Sequence, residues 1–142
     1  YPNAEVPVLQ LSIKHDYDPA AHIAVVRALE PLRNEGVLIV GSGYSFHNLR
    51  MFGPAAKGPS REFDTWLQNA ILNSSPSERV ALLEDWANAP SARIAHPAED
   101  HLIPLMVALG AAENEAATLI YNEAVMGSIY SSSFRFGSTD TS

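Results

Sequence analysis

VLIVGSGYSF, residues 37–46, sets the fold: four aliphatic residues run into a Gly-Ser-Gly turn, and His47 follows directly. A short aliphatic run closed by glycine reads as a strand covered on both faces. VPVLQLSI, spanning Val6 to Ile13, has the same character. Between the two, Asp18 is placed to cap a helix with Pro19 at its first position. Ile23, Val26, Leu29 and Leu32 recur at helical spacing until Gly36, with Pro31 bending the last turn. Strand, helix, strand in that order implies a right-handed parallel crossover. The expected class is α/β, with a mainly parallel or mixed sheet flanked by helices.

Working outward, Gly53 to Pro59 reads as a surface loop. Ser60 is expected to cap a helix carrying Phe63, Trp66, Leu67, Ile71 and Leu72, and Ser77 a second one carrying Val80, Leu82, Leu83 and Trp86. Both should pack on the sheet with their tryptophans in the core. A third helix is expected from Glu99 to Leu109 with Gly110 as its stop, and Glu99 and Asp100 are accounted for by capping and the helix dipole. Val125 to Phe136 should add a last strand or hairpin, and Ser138 to Ser142 should fray.

With 142 residues, 46% of them hydrophobic, the chain suits one domain spanning 1–142. A net charge of -7 argues against nucleic acid and anionic membrane as partners, since both call for clustered Lys and Arg. There is no cysteine, so any metal must be held by His, carboxylate or water. No apolar stretch has the length of a membrane span, and no basic segment precedes an apolar one at the start. A cytoplasmic chain is expected, and the opening Tyr1-Pro2, without an initiator Met, reads as an internal start.

The chemistry must come from histidines. In open α/β sheets ligands gather beyond the carboxyl ends of strands, where His47 falls. Helix capping and a plain surface position are its other readings. The second cluster is AHPAEDHL, Ala95 to Leu102. On a regular helix, residues five apart diverge by about 140°, so His96 and His101 could not grip one metal. Pro97 holds its predecessor extended, which puts His96 on a loop and His101 in the first helical turn, where the rings can converge. Tyr44 and Ser45 are candidates for hydrogen bonds to substrate, though a Gly-Ser-Gly turn also occurs for its own sake. Asn48 could orient His47 and Arg50 could meet a carboxylate, or both could be surface residues. A rival reading takes GSGYS as an anion cradle at a helix start. It lacks the Gly-Lys-Ser/Thr ending of a nucleotide loop.

LEPLRNEGVLIVGSGYSFHNLR (Leu29 to Arg50) and AHPAEDHLIPLMVALGAA (Ala95 to Ala112) closely resemble two blocks of the DOPA dioxygenase type of class III extradiol ring-cleavage enzymes. The opening and closing segments look like that family's flanks, so the likeness covers the chain and matches the carboxy-terminal half of a member. The resemblance implies an extradiol class III-like domain and oxidative opening of a catechol-type ring by dioxygen. It implies Fe(2+) or Zn(2+), held by histidines of an amino-terminal half and a ligand from this half. Carried over, His47 is the acid/base histidine and His96, with His101 second, is the metal ligand. His15 and His22 match none of the early ligand motifs and are expected at the surface. The partners implied are a small aromatic catechol and dioxygen, with a homo-oligomer or a complementing amino-terminal half to complete the site. A non-catalytic fragment or the binding half of a split enzyme is the alternative.

Overall fold

The Asp18 carboxylate accepts the Ala20 N–H at 3.1 Å and starts helix α1 (Pro19–Arg27), as the sequence predicts. The computed structural model to which this belongs describes residues 2–138. Pro31 has no N–H with which to extend α1, and the chain tightens at Ala28 before resuming as the short α2 (Glu30–Arg33). Helix α3 (Lys57–Leu72) begins ahead of Ser60, so that serine is no cap. Its hydroxyl instead donates to Ser128 O at 3.3 Å and accepts the Tyr130 N–H at 3.1 Å. Helix α4 (Pro76–Glu84) is capped by Ser75 rather than Ser77, in a reciprocal box with Glu78 that Pro76 favours by taking the first helical position.

A single turn, α5 (Ala92–Ala95), leads to His96. The helix expected from Glu99 begins later, as α6 (Ile103–Gly110), after a turn in which the Leu102 and Ile103 N–H groups share the Glu99 carbonyl. Gly110 lies inside α6 because the helix crosses α1 there: a Cβ at Gly110 would sit 2.6 Å from the Ile23 carbonyl oxygen. The core gathers Phe46, Phe63, Leu67, Leu83, Trp86 and Met106 between these helices and the hairpin.

The sheet is an antiparallel hairpin of β1 (Ala117–Val125) and β2 (Ile129–Phe136), with a register irregularity between Leu119 and Tyr121. A two-stranded hairpin is marginal by itself, and here α3 packs across both strands. The sequence reading marked only the second half of it. The fold is α/β, but the parallel crossover is absent among the described residues. Val6–Ile13 and Val37–Val40 form no strand and pair with none of the described residues. Their aliphatic composition favours a strand, yet a strand needs a neighbour to take its N–H and C=O groups. They remain uncovered: Leu9 is 97%, Val8 88% and Leu38 84% exposed. The fraying expected at the carboxyl end concerns Ser138 and residues 139–142, the latter outside the described residues. No helix among the described residues is long and apolar enough to cross a membrane.

Replacing a helical glycine by alanine normally stabilises by up to about 1 kcal/mol. At Gly110 the new methyl meets backbone, and we expect Gly110→Ala to destabilise by roughly 1–3 kcal/mol in urea unfolding. A higher midpoint would show that α1 and α6 separate freely.

Candidate active site

Residues 41–47 lie flush against the start of α6. A Cβ at Gly41 would stand 2.0 Å from the Pro104 carbonyl oxygen, and one at Gly43 would stand 2.3 Å from that of His101. Glycine is needed at both positions for close approach, and neither has a positive φ. The approach lets the Tyr44 N–H donate to the His101 carbonyl at 2.9 Å, while the His47 N–H donates to Ala95 O at 2.9 Å. Two separate parts of the sequence are thereby stitched together just where each carries a histidine.

The result is a stacked pair. The His47 and His101 rings lie 3.4 Å apart, centroid to centroid, with planes inclined by 17°. Asp100 joins them, its Oδ2 lying 2.9 Å from His101 Nδ1. With the proton on Nδ1, His101 presents an unprotonated Nε2, the arrangement by which a carboxylate orients a ligating imidazole. One potential ligand atom from each of His47, Asp100 and His101 lies within 4.8 Å of the others, and all three residues are half-buried. Burial, and then the neighbouring His101, lower the His47 pKa, with Asp100 acting the other way. The pair therefore favours a neutral His47 near neutral pH, which can accept a proton.

His96 does not converge with His101 on one pocket. It is fully buried, with its ring edge-on to Phe63 and Trp86 at 5.3 and 5.9 Å. Its Nε2 donates to the Ser45 carbonyl at 3.0 Å, and Nδ1 has no partner among the described residues. Burial pushes its pKa down to about 4, against the opposing pull of the Ser45 carbonyl. Pro97 directs His96 into the core while the turn from Glu99 carries His101 round to His47.

Tyr44 and Ser45 both line a cleft of about 670 Å³ between residues 36–45, α6 and β2, which His101, Arg33 and Arg135 also line. The Ser45 hydroxyl is already engaged, accepting the Ser132 N–H at 3.0 Å and lying 3.0 Å from Ser131 Oγ. Asn48 braces the loop by donating to Ile94 O at 2.8 Å. His22, expected at the surface, is buried between Asp18 O and the Lys14 N–H; His15 is exposed. The GSGYS segment runs into a 3-10 turn, Leu49–Met51, so an anion cradle there would have no helix behind it. Asp100 was missed because capping already accounted for it. Its place immediately before His101 was the available signal.

A fold in which α6 and a glycine loop press two histidines together at the edge of an α/β domain matches a known class. Residues 1–136 match the family model described as the catalytic LigB subunit of aromatic ring-opening dioxygenase, and the chain belongs to that family. The chain is similar to 4,5-DOPA dioxygenase extradiol of Beta vulgaris, 41% identical over 98% of this chain and 52% of the relative. It also resembles the proteins of that name from Portulaca grandiflora (36%, covering 96% and 51%) and Escherichia coli strain K12 (30%, covering 96% and 52%). Among solved structures, it superposes on uncharacterized protein JW3007 from Escherichia coli K12 with a TM-score of 0.79 at 30% identity, over 96% of this chain and 58% of that one. The chain thus spans about half the length of the curated relatives it matches.

The buried, neutral His96 links stability to pH. Its folded pKa, about 4, lies below the ordinary 6.5, so as pH falls the unfolded chain takes up the proton first. The stability it contributes is complete above pH 6.5 and is lost as pH drops from 6.5 to 4, by about 3 kcal/mol at most. Urea midpoints across that range should fall more steeply for the natural chain than for His96→Phe. Parallel slopes would mean that His96 is not buried neutral.

Proposed function

We propose that this chain supplies the carboxy-terminal part of the active site of a metal-dependent extradiol dioxygenase acting on a small catechol, DOPA-like as the relatives' names suggest, with dioxygen. The observation that carries the reading is the His47–His101 stack with Asp100 behind it. Two imidazoles and a carboxylate, with no thiolate, suit ferrous iron or zinc. His101, oriented by Asp100, is the residue we assign to hold the metal. The geometry favours it over His96, whose Nε2 is committed to Ser45. Iron or zinc bound there would supply Lewis-acid chemistry and, with iron, redox chemistry.

His47 is assigned to proton transfer. Its lowered pKa keeps it able to take a proton from a catechol hydroxyl, and its stacking on His101 keeps it beside the metal ligand. Tyr44, on the cleft wall, is the nearer candidate for substrate contact. Ser45 lines the same cleft with its hydroxyl turned to β2. We place this activity in the cytoplasm and without nucleic acid or membrane partners.

The alternative is a binding half that is inactive alone and completed by an amino-terminal segment or a second copy. The exposed aliphatic runs at Val6–Ile13 and Val37–Val40 favour it, because unpaired strand edges with apolar faces seek a neighbour.

The test is anaerobic Fe(II) loading of the chain, with and without the amino-terminal half of a relative, followed by DOPA in air and detection of a yellow ring-opened product. His101→Ala should weaken iron binding at least tenfold. His47→Ala should keep iron while turnover falls roughly 10²–10⁴-fold. Unchanged turnover in His47→Ala would remove its assigned role. Colour only in the mixture would identify a split site, and no colour in either would sink the dioxygenase reading.

A further inference from the structure

The His47 ring, among the described residues, makes no hydrogen bond of its own; backbone anchors and its stack on His101 hold it. The anchor two residues earlier is Ser45, gripped from two sides. Its carbonyl accepts from His96 Nε2 at 3.0 Å, and its hydroxyl accepts the Ser132 N–H at 3.0 Å.

Ser132 is itself fixed by a buried carboxylate. Asp64, in the middle of α3, is 4% exposed, and no Lys, Arg or His bonds to it among the described residues. Its Oδ1 accepts the Ser132 hydroxyl at 2.6 Å; its Oδ2 accepts Gln68 Nε2 at 2.7 Å and Asn122 Nδ2 at 2.9 Å. Asn122 Nδ2 and Gln68 Nε2 also reach Ser132 Oγ, at 3.0 and 3.2 Å. The ring of bonds therefore ties α3, β1 and β2 at one point, and that point touches the histidine loop. Burying a carboxylate is costly unless its lone pairs are satisfied, and an apolar side chain would fill the space without that cost. What an apolar residue cannot do is fix direction. Short bonds from two strands set where the Ser132 N–H points, and so where Ser45 sits.

We propose that Asp64 is a positioning residue: acting through Ser132 and Ser45, it sets the placement of His47 against His101. The proposal rests on the reading of that pair as the reactive site, and it adds a residue about which the histidine motifs say nothing.

The experiment compares side-chain imidazole NMR spectra of the full 142-residue chain with those of three variants, Asp64→Ala, Ser132→Ala and Ser75→Ala. The first two remove the Asp64–Ser132 bond between α3 and β2. The third removes the cap of α4, which loosens a neighbouring helix and leaves that bond intact. Displaced His47 and His101 ring signals in Asp64→Ala and Ser132→Ala, with Ser75→Ala unmoved, are the expected result. Ser45→Ala should displace the same signals, and Asp64→Ala added to it should displace them no further. Unmoved rings in folded Asp64→Ala and Ser132→Ala would overturn the proposal, as would equal displacement in all three variants, which is the mark of general loosening. Should Asp64→Ala fail to fold, Ser132→Ala and Ser45→Ala carry the comparison. The ring signals do not depend on turnover. Displaced rings in a chain with no dioxygenase activity in any form would leave the positioning role and remove the function, and an active enzyme with unmoved rings would do the reverse.

Discussion

Everything distinctive about this chain follows from one close approach of backbone to backbone. At Gly41 and Gly43 the loop after the second aliphatic run lies so near the first turn of α6 that a methyl at either position would overlap a carbonyl oxygen. A side chain there would push the loop outward and break the Tyr44–His101 backbone bond, and the stacked rings would part. The approach also explains the burial of His96. With the loop pressed inward, the Ser45 carbonyl reaches the core and accepts a hydrogen bond from His96 Nε2. One steric condition thus sorts the histidines, stacking two and burying the third.

The helices were legible where one residue type decides a terminus. Asp18 with Pro19 admits few other readings, and the cap forms as expected. Ser60 and Ser77 were misread for the same local reason: each has a neighbouring serine or alanine that starts the helix earlier, and a lone serine carries no mark of which hydroxyl will be used. Ser60 is spent on the hairpin turn and Ser75 on the capping box with Glu78. The aliphatic runs were read as buried strands, and the structure leaves them unpaired and largely exposed. Composition reports that a segment would be at home between two layers. Whether the layers exist depends on long-range neighbours that a local pattern cannot supply.

For the site, the loop position of His47 was legible because glycines after a buried run bring the chain over an edge. The choice between His96 and His101 was not. Pro97 correctly signalled that the two rings diverge from helical geometry, but not which would turn inward. Only the aromatic pocket of Phe63 and Trp86, built by two other helical segments, settles that His96 is the interior one. Asp64 was invisible for a related reason. A lone aspartate on an otherwise amphipathic helix reads as a solvated position until the hairpin is laid over it.

The geometry also divides labour in a way that bears on how half a relative's length can hold so ordered a pair. His47 and His101 owe their placement to bonds within this chain: Tyr44 to His101, His47 to Ala95, Ser45 to His96 and to Ser132. None of these bonds is made by the exposed aliphatic runs, although Val40 leads directly into Gly41. The histidine mount is therefore built on the helical core and the hairpin, and the aliphatic runs, unpaired among the described residues, contribute no bond to it. A rigid mount beside an incomplete sheet is the arrangement expected if the pair is set in advance and further metal ligands are brought to it, because a site assembled across a junction keeps its precision only when each side is rigid beforehand.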